Sequence, residues 1–177
     1  MTHLVGTYTL DSTHTTIGFV VRHAMVTKVR GSFSDWDADI TIADNAADST
    51  VKVTVSMDSI DTGNTDRDAH VRGEDFFNTA QYPTMTFEAT TFDIDESGSG
   101  TIGGDLTIKG VTKPVNLKVD VEGQAEDPYG NTRVGFEATA TINRTDFGID
   151  FNAPLKTGGV LISEEIKIEI EGSAIKN

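Results

Sequence analysis

Apolar residues recur at every second position through most of this chain, and that period admits few folds. Ile17, Phe19, Val21 and His23 share one parity, while Gly18, Val20 and Arg22 take the other. Phe33 opens a second run, with Trp36, Ala38, Ile40 and Ile42 on one face. Val51, Val53, Val55 and Met57 form a third, with Lys52, Thr54 and Ser56 turned away. A two-residue period marks a strand with one face in and one face out. The pattern resumes over residues 85–89, 92–94, 102–108, 115–121, 134–142 and 160–170, after a short lead-in strand at 8–10. The parity changes between Ala89 and Phe92, which predicts a bulge near residues 90–91.

Polar or glycine-rich turns separate the runs, at residues 28–31, 44–49 and 96–100. A tight hairpin is expected over 109–114, a longer loop over 122–131 and an irregular stretch over 144–159. About eight substantial strands joined by short turns imply antiparallel pairing in an all-β fold. Closure into a barrel removes the exposed edges of such a meander, with a sandwich as the competing arrangement. Gly104, Ala138 and Ala140 fall on the inward parity, where small side chains leave volume unless larger neighbours fill it.

Residues 58–83 break the alternation. The segment places Arg67, Asp68, His70, Arg72, Glu74 and Asp75 beside Phe76, Phe77 and Tyr82. Asp61-Thr62-Gly63-Asn64 is turn chemistry, and Asn64 or Thr65 caps a short helix running through Ala69. A second helical turn is expected at residues 74–78, so the helical insertion covers about 64–78. Pro83 ends it. Such a connection is expected to cover something apolar.

The chain is 177 residues long, which suits one domain over 1–177. With no cysteine, disulfides and thiolate chemistry are excluded. The N-terminus lacks the basic and apolar regions of a signal peptide, and no apolar run approaches a membrane span. A cytoplasmic location is therefore expected. The net charge of −14 disfavours nucleic acid and anionic surfaces.

Catalytic signatures are sparse. His14, His23 and His70 lack the spacing of a metal motif, and no HExxH occurs. There is no GxSxG element. Asp68, His70 and Glu74 are the candidates for acid–base work, with a salt-bridge network as the alternative use of so many charges.

The residues do, however, resemble a known family, the YceI-like proteins, which are lipocalin-like and bind polyisoprenoids and other long-chain lipids. The resemblance begins at Asp11-Ser12-Thr13-His14 and continues through Ile17, Phe19, Val21, His23 and Gly31-Ser32-Phe33. Its middle holds Ser59-Ile60-Asp61-Thr62-Gly63, Arg67-Asp68-Ala69-His70, Asp75-Phe76-Phe77, Tyr82-Pro83 and Thr86-Phe87. It ends with residues 104–114 and with Asn143-Arg144-Thr145-Asp146-Phe147-Gly148. Thr15 and Val71 stand where the family commonly has Ser and Leu.

The resemblance implies a lipocalin-like, extended antiparallel barrel, usually a homodimer, with an apolar tunnel for a polyprenyl chain. The ligand would be an isoprenoid quinone, a prenol or a polyprenyl (pyro)phosphate, and no other cofactor or metal is implied. Motif and parity together select the tunnel wall. Phe19, Val21, Phe33, Trp36 and Ile40 come from the first half. Val55, Met57, Phe76, Phe77 and Met85 come from the middle, and Phe87, Leu106, Phe136 and Phe147 from the remainder. His14, His23, Arg67, His70, Arg72 and Arg144 are the candidate head-group contacts. The overall acidity favours a neutral head. Three functions are compatible with these residues: a non-enzymatic lipid carrier or store, an enzyme acting on a lipid head group through Arg67, Asp68 and His70, and a stress-protective dimer with a filled core. An outer face carrying Val20 or Leu161 is the candidate dimer surface.

Overall fold

The computed structural model describes residues 2–177. Its strands are β1 (Gly6–Leu10), β2 (Thr16–His23), β3 (Thr27–Phe33), β4 (Trp36–Ile42), β5 (Thr50–Ser56) and β6 (Ile60–Asp61), followed by β7 (Thr84–Ile94), β8 (Ser99–Ile108), β9 (Val111–Glu126), β10 (Thr132–Asn143) and β11 (Glu165–Lys176). One α-helix, α1 (Thr65–Arg72), stands between β6 and β7. Eight strands close a ring in the order β1-β4-β5-β7-β8-β9-β10-β11 and back to β1. Every pairing in that ring is antiparallel, so the fold is a lipocalin-like antiparallel barrel.

The ring closes through its shortest member. One edge of β1 pairs with β11 (Tyr8 with Lys176, Leu10 with Ala174). The other pairs with β4 (Gly6 with Ile42, Tyr8 with Ile40). The edge of β11 that serves β1 at its C-terminal end serves β2 at its N-terminal end, from Lys167 opposite Val20 to Glu171 opposite Thr16. The β2–β3 hairpin thus extends the wall where β1 stops, and β6 adds two residues against β3.

An ion pair on each side of one arginine holds this seam from outside. Arg133 of β10 donates to Asp11, just past β1, and to Asp127, both at 2.7 Å. Hydrogen bonds hold both carboxyls well below their usual range. At Asp11 the donors are the Thr13 hydroxyl, His14 and Arg133. At Asp127 they are the Asn131 side chain and backbone, and Arg133.

The interior follows the alternation. Leu4, Tyr8, Val134 and Ala174 are buried together and close one end of the barrel. Leu4, in a 3-10 turn over Thr2–Leu4, is 5% exposed, and the Tyr8 hydroxyl donates to its carbonyl at 2.6 Å. Ile17, Phe33, Val55, Met57 and Ile60 pack where the wall passes from β5 to β2 and β3.

Three phenyl rings lie flat on the wall because glycine faces them. Phe19 stands opposite Gly31, and Phe136 opposite Gly172. Phe87 lies one step diagonal to Gly104. A Cβ on these glycines would fall 2.3 Å, 2.6 Å and 2.5 Å from the respective rings. Glycine has no side chain to pack in a strand, and a neighbouring aromatic ring takes its place.

Several boundaries differ from the sequence expectations. The helix starts at Thr65 and is capped by Asn64, whose side chain accepts from the Arg67 N–H, but it continues to Arg72. Residues 74–78 form turns, with no second helix. The 109–114 hairpin reduces to Lys109-Gly110, both at positive φ, and Pro114 lies inside β9 opposite Asp105. The β9–β10 ladder ends at Lys118, so the other edge of Pro114 faces no strand and its missing N–H breaks no ladder bond. The strand expected to end at Val121 continues to Glu126, past a register shift at Gly135–Phe136, and its polar tail pairs with β10. Residues 160–164 precede the final strand, which begins at Glu165. The bulge expected near 90–91 is present, as a register shift between Ala89 and Thr91.

The Arg133 latch makes a signed prediction. A carboxyl whose folded-state value is depressed stabilises the fold above its unfolded value and loses that contribution as pH falls. Stability measured by chemical denaturation is expected to be highest above about pH 5 and to drop as pH falls through 3.8, the ordinary value for both aspartates. Asp127→Asn is expected to be less stable than wild type at pH 7, with the difference shrinking below pH 4. A difference that persists unchanged at pH 2 contradicts the assignment.

Candidate functional site

Rings laid on glycine and small residues at Ala138 leave the barrel axis unfilled. The resulting cavity has a volume of about 470 Å³, within the roughly 300–1,000 Å³ range of ligand sites. It runs from Leu4, Tyr8 and Val134 at the closed end to Arg22, His23, Arg67, His70, Phe151 and Ile162 at the other. Twelve residues of β11, at about 3.4 Å each and tilted about 40°, carry the wall roughly 30 Å along the axis. The ~30 Å hydrocarbon core of a bilayer holds two tails end to end, so the wall is long enough for one extended tail of ordinary lipid length.

Between its ends the lining is aliphatic and aromatic, from Ile40, Val53, Met85, Leu106, Leu117, Ile168 and their neighbours. Among the described residues no aspartate or glutamate lines it, although the chain has twice as many acidic as basic residues, 28 against 14. Its charged groups are cationic and gather at the open end.

The helix places Arg67 there. Its Nε donates to the Thr62 hydroxyl at 2.8 Å and its Nη2 to the Thr62 carbonyl at 2.6 Å. Asp68 accepts from the same Thr62, at its N–H (2.8 Å) and hydroxyl (2.5 Å). The Thr62 hydroxyl is the main reason its carboxyl sits below the usual range, with Arg72 and Arg67 adding to the effect. His70 lies 2.9 Å from the Asp75 carboxylate and meets Phe76 and Phe151 edge-on, with ring centres 5.1 Å and 5.2 Å away.

Arg144 is different in kind. It is 4% exposed and donates to three backbone carbonyls, Ile149 (2.8 Å), Ser163 (2.9 Å) and Ile162 (3.3 Å). Among the described residues no carboxylate lies in ion-pair contact with it. Burial pushes its guanidinium below the ordinary value, opposed by the more distant Glu164 and Asp150. A buried cation without a counter-ion is costly unless its donors are satisfied. Here the carbonyls of the 149–163 loop satisfy them, so the loop is pinned to the barrel rim.

Of the residues expected to line a tunnel, Phe19, Val21, Phe33, Ile40, Val55, Phe76, Phe77, Met85, Phe87, Leu106, Phe136 and Phe147 do line the cavity. Trp36 and Met57 do not. Met57 sits in a 3-10 turn and is 2% exposed among Ile17, Phe33, Val55 and Ile60, and Trp36 packs against that same cluster. Among the expected head-group contacts, His23, Arg67, His70 and Arg144 face the cavity. His14 is exposed and bonded to Asp11 at 2.8 Å. Arg72 donates to the carbonyls of Asp58 and Ile60, holding β6 in place. Arg67, Arg72 and Arg144 spend these donors on backbone carbonyls and Thr62. Asp68 and His70 share no hydrogen bond, because each is committed elsewhere. Neither candidate dimer residue offers an open outer face: Val20 is 8% exposed and Leu161 lines the cavity.

Arg22 and Phe151 are rim residues that sequence reasoning missed. Parity places Arg22 on the outer face of β2, and only at the strand's end, where the wall gives out, does it reach the opening. Phe151 lies in an irregular stretch with no period to read.

Two substitutions test the construction. Gly172→Val forces the Phe136 ring off the wall into the lumen, with an expected loss of about 1–3 kcal/mol by thermal unfolding. Arg144→Met leaves three carbonyls without their donor and is expected to cost at least about 2 kcal/mol. Wild-type melting temperatures for either variant contradict the corresponding role.

Comparison with known proteins gives a consistent picture. The model of the YceI-like domain matches residues 8–174. A protein of Pseudomonas aeruginosa (strain LESB58) described as a UPF0312 protein is 38% identical over 164 residues, 92% of this chain and 83% of that one. A UPF0312 protein of Yersinia pestis (strain Pestoides F) is 37% identical over 168 residues, 94% and 84% of the two chains. The crystal structure of the Campylobacter jejuni YceI protein superposes with a TM-score of 0.75 at 31% identity, covering 88% of this chain and 90% of that one. Two more distant structures share the fold. Burkholderia cenocepacia BcnA has a TM-score of 0.79 at 22% identity, covering 93% and 98%. A polyisoprenoid binding domain from Saccharophagus degradans has a TM-score of 0.71 at 15% identity, covering 96% and 98%.

Proposed function

The chain belongs to the YceI-like domain family, and from that premise we propose that it binds one long isoprenoid lipid, tail inward, as a non-catalytic carrier or store. The observation that carries this reading is the lumen: about 470 Å³, apolar along its length, closed at Leu4 and cationic at its opening. The polyisoprenoid binding named for the Saccharophagus degradans domain supports the ligand class.

The energetics allow it without strong polar contacts. Since a cavity of about 150 Å³ takes the six carbons of benzene, the lumen takes roughly twenty, which at roughly 0.8 kcal/mol per buried CH₂ would gain about 16 kcal/mol gross, close to the roughly 20 kcal/mol ceiling of non-covalent affinity. Ordering the flexible tail takes back much of that. Tail length and lumen shape thus dominate selection.

The rim bears on the head group. A net charge of −14 favours a neutral quinone or prenol, but salt screens distant charges beyond about 8 Å. What a head group meets locally is Arg22, Arg67 and Arg144 with no carboxylate on the cavity wall. Guanidinium is the group of choice for phosphate recognition. The reading therefore favours an anionic head, a polyprenyl phosphate or pyrophosphate, over a quinone. Two rim arginines remain usable for this: Arg22 is exposed, and Arg67 spends only part of its donors on Thr62.

Native mass spectrometry of the purified protein, followed by solvent extraction, is the test. One prenyl lipid per chain is expected, its mass giving tail length and head group together, and the same spectrum reads whether the chain is a homodimer. Ala138→Phe, which fills the lumen from a wall residue, is expected to reduce lipid retention at least about tenfold, a change equivalent to roughly 1.4 kcal/mol, while the strand signal in circular dichroism persists. Full retention in that variant, or a wild-type protein that is empty and refuses prenyl phosphates, prenols and quinones alike, overturns the reading.

A further inference from the structure

Two loops beside the opening carry apolar side chains in water. The β2–β3 turn exposes Met25 at 54% and Val26 at 76%, and the 149–163 loop exposes Val160 at 37%. Among the described residues, and apart from Tyr129, these are the large apolar side chains most open to solvent. They belong to one surface. The Ala24 N–H donates to the Leu161 carbonyl at 2.7 Å, His23 bridges to Ile162, and Met25 lies over Gly159, where an added Cβ would come within 3.1 Å of its Cγ.

The turn sits in an unfavourable conformation to do this. Ala24 and Met25 have φ of 50° and 66° in the three-residue connection between the paired His23 and Thr27, with the Val26 N–H closing the turn on the His23 carbonyl at 3.2 Å; Asn and Gly fill such positive-φ positions best. A non-glycine residue at positive φ is strained, and such strain concentrates at functional positions. This turn uses Ala-Met, and the methionine gains no burial by it.

The charge around these tips is also unlike the rest of the chain. From Ser12 to Ser34 there is no acidic residue, while Arg22, Lys28 and Arg30 are basic, Arg30 being paired with Glu169 of β11 at 2.8 Å. Between Phe151 and Ser163, the part of the loop that carries Val160, the charged residue is Lys156, with the exposed Asp150 before it and Glu164 and Glu165 after it at the loop's two ends. Lys28 and Lys156 are exposed. On the far side of the opening, α1 is mixed in sign. Acidic residues such as Asp93, Asp95, Asp120, Glu122 and Glu126 lie on other strands and turns of the barrel. Exposed apolar tips flanked by cations are the pattern of a segment that settles into a lipid surface.

We propose that the β2–β3 turn and the 149–163 loop form a docking surface for an anionic lipid membrane, seating the barrel opening on the bilayer. Met25, Val26 and Val160 enter the interface, while Lys28 and Lys156 meet anionic head groups. The acidic remainder of the barrel is repelled by the same membrane, so net charge orients the molecule opening-down. The proposal rests on the lipid-lumen reading for its purpose, not for its measurement.

Vesicle flotation tests it, with vesicles of phosphatidylcholine alone and of phosphatidylcholine mixed with phosphatidylglycerol. Wild-type protein is expected to float with the mixed vesicles at low salt, to release as salt rises, and to bind phosphatidylcholine vesicles at least about fivefold less. Met25→Gly with Val26→Thr relieves the turn and removes the apolar tips. It is expected to abolish flotation while leaving thermal stability at or above wild type and co-purified lipid unchanged. Lys28→Glu with Lys156→Glu is expected to lower partitioning at least about tenfold, since each basic residue near an anionic surface is worth roughly fivefold. No wild-type flotation, or flotation of the Met25/Val26 variant equal to wild type, overturns the proposal. So does a dimer that becomes a monomer in that variant, which assigns the tips to a second copy of this chain. Loss of co-purified lipid in wild type with flotation intact would count against the lumen reading alone.

Discussion

Closure at β1 is the constraint on which the rest depends. Five residues carry both edges of the seam, pairing with β11 on one side and β4 on the other. Without that strand, β4 and β11 present unpaired edges and the inward faces of eight strands open to water. The latch from Arg133 to Asp11 and Asp127 sits across this seam. Inside it, the stack of Leu4, Tyr8, Val134 and Ala174 fills the same end. Hydrogen bonding, charge pairing and apolar packing thus converge on the shortest ring strand, which could not hold its position by ladder bonds alone.

Away from the seam, packing is deliberately incomplete. Protein interiors normally fill to crystal density, and the cluster around Met57 and Ile60 does so, both being at most 2% exposed. The barrel axis does not. Phe19, Phe87 and Phe136 contribute large apolar area yet stay on the wall, because glycine concedes the space beneath each ring. The same sequence choice supplies cohesion to the sheet and leaves the centre open. Cations gather where that opening meets solvent and carboxylates stay off the lining, so the site's electrostatics run opposite to those of the whole chain.

Much of this was legible in the sequence. Alternation from Ile17 to Val21 and from Val134 to Ile142 fixes strands and their inner faces without any tertiary information, and the parity change at Ala89 marks the bulge. The cap was legible as Asn64 or Thr65, and the fold uses Asn64. Errors arose where local signals were overruled by partners distant in sequence. Pro114 reads as a turn, yet an unpaired edge lets it stay within β9. Residues 122–126 have no apolar period, yet β10 lies alongside to pair with them. Trp36 and Met57 have the correct parity but fall where the wall turns away from the axis. Carboxylates stand near Arg67, Arg72 and Arg144 in sequence, yet the fold offers these arginines carbonyls and Thr62 instead. Arg22 and Phe151 had no detectable signal, since rim position is decided by where a strand ends and not by its period.

The stopper at Leu4 sets how such a lumen is filled and emptied. A tube with one opening has no outlet ahead of an entering chain. Water inside must leave past the incoming tail, and the tail must go in last-unit first, so the head group always ends at the rim. Release reverses the order, with the head leaving first and the whole tail drawn out behind it. Exchange is then serial, one molecule out before the next goes in, and its speed depends on how long a tail must slide, unit by unit, along the wall. For the proposed lipid, depth would also become a ruler, because a tail too long for the distance from Leu4 to Arg144 would hold its head clear of the arginines.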